Sequence, residues 1–277
     1  MTSNSLLTTP LPVPETARQR GGPLLAAAAA HGVALGLTYL VFVSTSGGQE
    51  LEGALLPRAE QGGGYEQQTD LVVPAKEVLA TFGDPTLLVL LLAGVFVVGA
   101  LGRRLRAGIA GVGIVLATVA ATSALKDVLV RPELGVVGSS SHNSFPSGHV
   151  GVAMGLLLAF LLVLPDRARP WLAVPGAVGV AVVASSTMVV GWHRLSDTVG
   201  GVLVAAALYF VATAVLARGD GTAAARPSGL TCVPVAVVLL VVVAVSGVGL
   251  TAAIVAATAF TALVVAACVL VVPQNLR

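Results

Sequence analysis

Charge is scarce in this chain: only 10% of its 277 residues are Asp, Glu, Lys or Arg, against 56% hydrophobic. A soluble domain of this length does not keep so apolar a composition in water. Aromatic residues are also few, at 4%, and no stretch interleaves them with basic residues, so the sequence offers no nucleic acid a footprint. The two cysteines, Cys232 and Cys268, have neither metal-ligand spacing nor the numbers of a disulfide framework, and both read as packing residues. A formal net charge of +2 points to no strongly charged partner.

What is abundant is apolar sequence in long runs. A bilayer-spanning helix needs about 20 mostly apolar residues, and about eight stretches qualify, at roughly 23–43, 85–102, 107–125, 149–164, 171–191, 198–217, 230–248 and 251–272. The expected fold is therefore all-α, a polytopic membrane helix bundle. Residues 1–22 form a Pro-, Ser- and Thr-rich tail read as disordered and cytoplasmic. Residues 23–217 form a six-span core. Residues 218–277 add a cytoplasmic link and a two-span hairpin. No small-residue cleavage site follows the first run, which reads as a retained span rather than a signal peptide.

Basic residues in short loops set orientation. With the N-terminus inside, the cytoplasmic segments hold Arg18, Arg20, Arg103, Arg104, Arg106, Arg167, Arg169, Arg218, Arg226 and Arg277, ten of the fifteen basic residues. Both termini are then cytoplasmic. The outer segment 44–84 carries Gly47-Gly48 and Gly62-Gly63-Gly64 and reads mostly as a flexible loop. Its last part, 71–82, fits either a short helix on the membrane surface or a plain linker. His31, inside the first span, reads as a packing residue rather than a functional one, because no partner for it is evident.

Two polar islands interrupt the apolar pattern on the predicted outer side. The first ends in Pro146-Ser147-Gly148-His149, directly ahead of an apolar run. This order predicts a helix start whose first turn, Ser147 to His149, presents free backbone N–H groups to an anion. Ser147 adds a hydroxyl, Gly148 allows close approach, and His149 can move a proton near neutral pH. An ordinary helix start with an incidental His is the competing reading. Upstream, Lys126 and Arg131 sit where the preceding apolar run stops; an anion-binding role there outweighs simple snorkelling at a membrane edge. In the second island, Gly191-Trp192-His193-Arg194-Leu195-Ser196-Asp197, His193 and Asp197 stand four apart. On a continuing helix they share a face, and the carboxylate would orient the imidazole as a nucleophile or general base.

Together these motifs resemble the type 2 phosphatidic acid phosphatase superfamily of membrane lipid phosphatases, over about residues 70–217. Pro146-Ser-Gly-His149 fits that family's second motif, and His193 with Asp197 fits its third. Two positions depart from the pattern. The Arg-Pro expected after Lys126 falls two residues early, as Arg131-Pro132, with Glu133 and Leu134 in its usual place. The Ser-Arg pair expected upstream of His193 reads Ser186-Thr187. One phosphate-clamping Arg is therefore missing, and Arg131 and Arg194 are candidate substitutes.

The resemblance implies a two-step phosphoryl transfer through a phosphohistidine, with no metal and no cofactor. His193 is then the nucleophile, Asp197 its orienter and His149 the proton donor. Lys126, Arg131, Ser147, Gly148, Thr187 and Arg194 are the candidate phosphate-binding residues. A site at the outer ends of spans suits a lipid phosphate or diphosphate in the bilayer of the plasma membrane; polyprenyl diphosphate is favoured on family analogy, ahead of phosphatidic acid and phosphatidylglycerol phosphate. A lipid-linked phosphotransferase and a non-catalytic lipid-binding scaffold are the alternatives. A transporter would call for polar groups deep in the spans, which are mostly missing.

Overall fold

The computed structural model describes residues 17–55, 70–137, 139 and 141–219. The tail 1–16, the Gly62-Gly63-Gly64 segment and the expected C-terminal hairpin with Cys232 and Cys268 lie outside the described residues. Among those described, every regular element is helical. The helices are α1 (Ala17–Thr38), α2 (Ser46–Leu55), α3 (Val72–Phe82), α4 (Pro85–Leu101), α5 (Leu105–Val128), α6 (Gly148–Val163), α7 (Arg169–Val189) and α8 (Leu195–Gly219), with a π-helical turn, Tyr39–Val43, extending α1.

Four helical stretches are long and apolar enough to cross a membrane: Gly21–Val43, Leu105–Val128, Trp171–Val189 and Leu195–Arg218. A fifth candidate is the pair α3 and α4, bent by 54° at Gly83-Asp84. Asp84 caps α4, accepting from the Thr86 amide at 2.7 Å, and Pro85 occupies the first helical position, where its missing N–H costs nothing. The segment 71–82 is thus a helix and not a plain linker. α6 is shorter, at 16 residues, or about 24 Å by helical rise. The first helix begins at Ala17 rather than near residue 23, because Ala-Arg-Gln-Arg favours helix beyond the apolar run.

α6 is the central element. It packs against α4, α5, α7 and α8, while α1 lies along α8. One apolar core joins α1, α3, α6, α7 and α8 around Met154, Leu158, Leu203 and Phe210. A smaller one, with Val95, Val115 and Ala159, joins α4 and α5 to the other side of α6. Apolar side chains such as Val33, Leu90, Ile109, Val174 and Val215 remain exposed on the outside, as lipid-facing helices require. His31 is buried against Phe210, ring centroids 5.1 Å apart, with Nδ1 2.8 Å from the Ala27 carbonyl. That agrees with a packing role between α1 and α8.

The two ends of α6 are built differently. At its C-terminal end Arg169 Nε donates to the Leu161 and Leu164 carbonyls, Arg104 donates to Leu164, and Arg169 pairs with Asp166. Two guanidinium groups thus satisfy carbonyls that the helix leaves open. At the other end α6 meets α8 through glycine. A methyl group on Gly201 would lie 2.5 Å from the Ser147 carbonyl oxygen and 2.9 Å from the Gly151 nitrogen. Backbone cannot yield as a side chain does, so Gly201→Ala is expected to destabilise the protein by about 1–3 kcal/mol. Thermal unfolding in detergent checks this, with Gly113→Ala as control: no atom lies within 4 Å of a methyl group there.

Candidate functional site

The site forms where α5 ends and α6 and α8 begin. Ser147 is the N-cap of α6, its Oγ accepting from the Val150 amide at 3.4 Å. Its own N–H donates to the Asp197 carbonyl at 2.8 Å, so the first turns of α6 and α8 are tied by backbone. The Phe145–Pro146 peptide ahead of the cap is cis. Asn143 closes the gap to α5, donating to the Leu129 carbonyl at 2.8 Å and accepting from the Phe145 amide at 3.1 Å. Lys126, in the last turn of α5, reaches the same place: a methyl group on Gly148 would lie 3.6 Å from its Nζ. An ammonium group and the positive end of a helix converge there, which suits an anion.

The turn between α7 and α8 presents the second imidazole. The amides of Trp192 and His193 both donate to the Thr187 carbonyl, at 3.0 and 3.2 Å. Gly191 makes the turn possible with φ +73°, a conformation that other residues adopt only at a cost. His193 therefore stands just ahead of α8 rather than on a continuous helix with Asp197. The four-residue spacing still works, because Asp197 lies in the first turn of α8 and reaches back: His193 Nδ1 is 3.3 Å from Asp197 Oδ2. The same oxygen accepts from Ser144 Oγ at 2.6 Å and from the Arg194 amide at 2.8 Å. Asp197 is fully buried, and a buried carboxylate needs donors of this kind. With Nδ1 held as N–H, Nε2 is the ring atom that keeps a lone pair.

A cavity of about 360 Å³ opens between these segments, with Lys126, Asn143, Ser144, Trp192, His193 and Arg194 in its wall. The His149 ring stands beside it, 6.4 Å from that of His193 and 5.8 Å from that of Trp192 by centroid. Arg194 is braced by a 3.1 Å bond to Ser144 Oγ, and thereby to Asp197. Two cations, an imidazole oriented by a carboxylate and a second imidazole around one cavity can hold a phosphate group and act on it. Among the described residues no group of three His, Cys, Asp or Glu side chains converges as metal ligands would.

The candidates are not all used alike. Lys126, His149, His193, Arg194 and Asp197 are brought together, with Gly148 beneath the Lys126 ammonium. Ser147 caps its helix, and Thr187 donates its hydroxyl to the Ala184 carbonyl at 2.7 Å, shaping the turn through its own carbonyl instead. Arg131 is buried away from the wall. Its guanidinium donates to Glu52 Oε2 at 3.1 Å and to Ser139 Oγ at 3.4 Å.

Residues not singled out by the sequence are Ser144, Trp192 and Glu52. The first two flank the recognised motifs, so the polar character of the islands was their only signal. Glu52 had none, lying in a Gly-rich stretch that read as loop; it is on α2, fully buried, and also accepts from Ser196 Oγ. Burial and the nearby Asp197 carboxylate push its pKa up to about 7, outweighing Arg131 and the Ser196 hydroxyl.

A second cavity, of about 660 Å³ and apolar, lies between α3, α4, α6 and α7. Ala153, Leu156, Leu157 and Phe160 line it from α6. They stand 4, 7, 8 and 11 positions after His149, which is one continuous helix face. Gly83, at the end of α3, closes over His149: a methyl group there would lie 3.7 Å from His149 Nε2.

Comparison with curated proteins and with solved structures finds no match to this chain. Residues 87–220, the segment that holds Lys126, His149, His193 and Asp197, match the model of the PAP2 superfamily.

Proposed function

We propose that this chain is an integral-membrane lipid phosphatase that hydrolyses a lipid phosphate or diphosphate at the outer membrane face. Phosphatase action on phosphate esters belongs to the superfamily; the lipid substrate, the outer face and the mechanism are what the proposal adds. The observation that carries it is the facing pair of imidazoles. His193, oriented by Asp197, stands 6.4 Å by ring centroid from His149 at a cavity walled by Lys126 and Arg194.

In the first step His193 Nε2 attacks phosphorus, forming an N–P bond as the bond to the leaving oxygen breaks. That oxygen takes the electron pair, and His149 supplies its proton. Lys126, Arg194 and the N–H groups opening α6 neutralise the equatorial oxygens, the main work of a phosphoryl-transfer site. In the second step water attacks phosphorus, His149 takes its proton, and the N–P bond breaks to free His193 and phosphate. Arg194 lines the cavity and Arg131 does not, so Arg194 is the better substitute for the missing clamping Arg.

The apolar cavity lined by the α6 face that follows His149, Ala153 to Phe160, supports a lipid leaving group, because the tail must depart on the side of the proton donor. Among lipids, polyprenyl diphosphate remains the favoured substrate by family analogy, with phosphatidic acid and phosphatidylglycerol phosphate next. Basic residues concentrated at the far end of the helices, including Arg103, Arg104, Arg167 and Arg169, support placing the site outside in the plasma membrane.

The test is phosphate release by the purified full chain in detergent, from a panel of lipid mono- and diphosphates, with EDTA present. Release that persists in EDTA, with one lipid class preferred, is the expected result. Release that EDTA abolishes would overturn the metal-independent mechanism, and transfer of phosphate to an added alcohol in place of water would make the enzyme a transferase.

A further inference from the structure

The wall of the phosphate cavity comes from two separate stretches, the link 142–144 and the turn 191–194, together with Lys126. We propose that Glu52, on the first outer-loop helix, is a positioning residue that clamps these two stretches together from behind. The clamp rests on the phosphatase reading only for its consequence; its geometry stands by itself. Nothing in the matched segment 87–220 assigns α2 a role.

Each carboxylate oxygen of Glu52 serves one side. Oε2 accepts from Arg131 at 3.1 Å, at the root of the link, and Oε1 accepts from Ser196 Oγ. Ser196 stands between Arg194, in the cavity wall, and Asp197, which orients His193. On the link side the hold is doubled by Gln49, one turn earlier on α2. Gln49 Oε1 accepts from Ser139 Oγ at 2.7 Å, and its Nε2 donates to the Pro132 and Val43 carbonyls, each at 2.9 Å. Arg131 joins the same group through its 3.4 Å bond to Ser139. A single face of α2 therefore fixes the link at Arg131, Pro132 and Ser139, and α8 at Ser196.

Stability alone does not explain a charged pair here. The side chains of Arg131 and Glu52 are 1% and 0% exposed, and a pair so buried loses in desolvation much of what it gains in attraction. Apolar side chains of similar volume would hold α2 in place as well. What they could not do is set two chain segments at hydrogen-bond distance from one carboxylate. Close packing fixes α2 itself: a methyl group on Gly48 would lie 2.0 Å from the Val41 carbonyl oxygen, so α2 lies tight on the π-helical turn and gives Glu52 a rigid base.

The experiment compares the full-length wild type with Glu52→Ala, Glu52→Gln and the double variant Glu52→Leu/Arg131→Met. Three quantities are read: thermal midpoint, amide hydrogen exchange across 139–144 and 191–197, and affinity for orthovanadate. Glu52→Ala is expected to speed exchange in both stretches together and to weaken orthovanadate binding about tenfold, the scale of one lost charge-assisted contact. Glu52→Gln keeps one carbonyl oxygen and a donor, and should fall between Ala and wild type. The double variant should recover the wild-type midpoint but keep both defects. A double variant with wild-type exchange and wild-type orthovanadate affinity would reduce Glu52 to half of a stabilising pair and overturn the proposal, as would an effect of Glu52→Ala confined to one stretch. A wild type that does not bind orthovanadate would count against the phosphatase reading, while the exchange data would still decide the clamp.

Discussion

Replacing His193 with alanine is expected to lower phosphate release at least about 10⁴-fold, because a covalent nucleophile has no substitute within a preorganised site. The residual rate would come from phosphate binding alone. The side chain is nearly buried, but among the described residues its one hydrogen-bonded contact is Asp197 Oδ2, and that oxygen keeps two other donors, Ser144 and the Arg194 amide. The variant should therefore fold, and its thermal midpoint and affinity for inorganic phosphate should stay close to wild type. That combination separates loss of chemistry from loss of structure. A rapid alkaline quench of wild type with radiolabelled substrate should trap one acid-labile, base-stable phosphoryl group per chain, absent from His193→Ala. An alanine variant that keeps between about one ten-thousandth and one hundredth of wild-type activity would mean that water attacks phosphorus directly, with His193 as its base, since such a role contributes about 10²–10⁴-fold.

Much of this site is legible from local sequence, for physical reasons that can be named. The start of α6 follows from Pro-Ser-Gly-His ahead of an apolar run, because capping is a short-range interaction. The His193–Asp197 pair follows from spacing, although His193 precedes α8: one turn of backbone brings positions four apart together whether or not both are helical. The long spans follow from composition, since the bilayer leaves an apolar helix few alternatives.

Arg131 and Glu52 were illegible for the opposite reason. Their pairing joins positions 79 apart in sequence, and no periodicity encodes which buried cation meets which buried anion. Arg131 had every local attribute of a phosphate ligand, near Lys126 and one link from the helix start, yet its guanidinium is committed to Glu52 and Ser139. The glycines at 47 and 48 misled in a related way. They resemble loop residues, but Gly48 is there for close contact with the π-helical turn, and the segment around it is helix.

Replacing His149 with alanine should divide the reaction by leaving group, and this is the sharper test of which imidazole does what. A lipid alkoxide departs poorly without a proton, so removing its donor should cost about 10²–10⁴-fold on a lipid monophosphate. A lipid diphosphate loses a lipid phosphate instead, which departs more readily, and the cost should be smaller. With p-nitrophenyl phosphate the first step needs no proton at all. The second step still does, because water must lose one to attack the phosphohistidine. His149→Ala should therefore release one equivalent of nitrophenolate in a burst and then turn over slowly, the signature of an intermediate whose breakdown has become limiting. The position of His149 makes both roles available to one ring: it faces His193 at 6.4 Å and is flanked by Trp192 at 5.8 Å, with α3 closing over it at Gly83. Equal losses on all three substrates, with no burst, would instead place His149 among the phosphate-holding groups beside Lys126. The departing oxygen would then take its proton from solvent, and the apolar cavity along α6 would no longer mark the side on which the tail leaves.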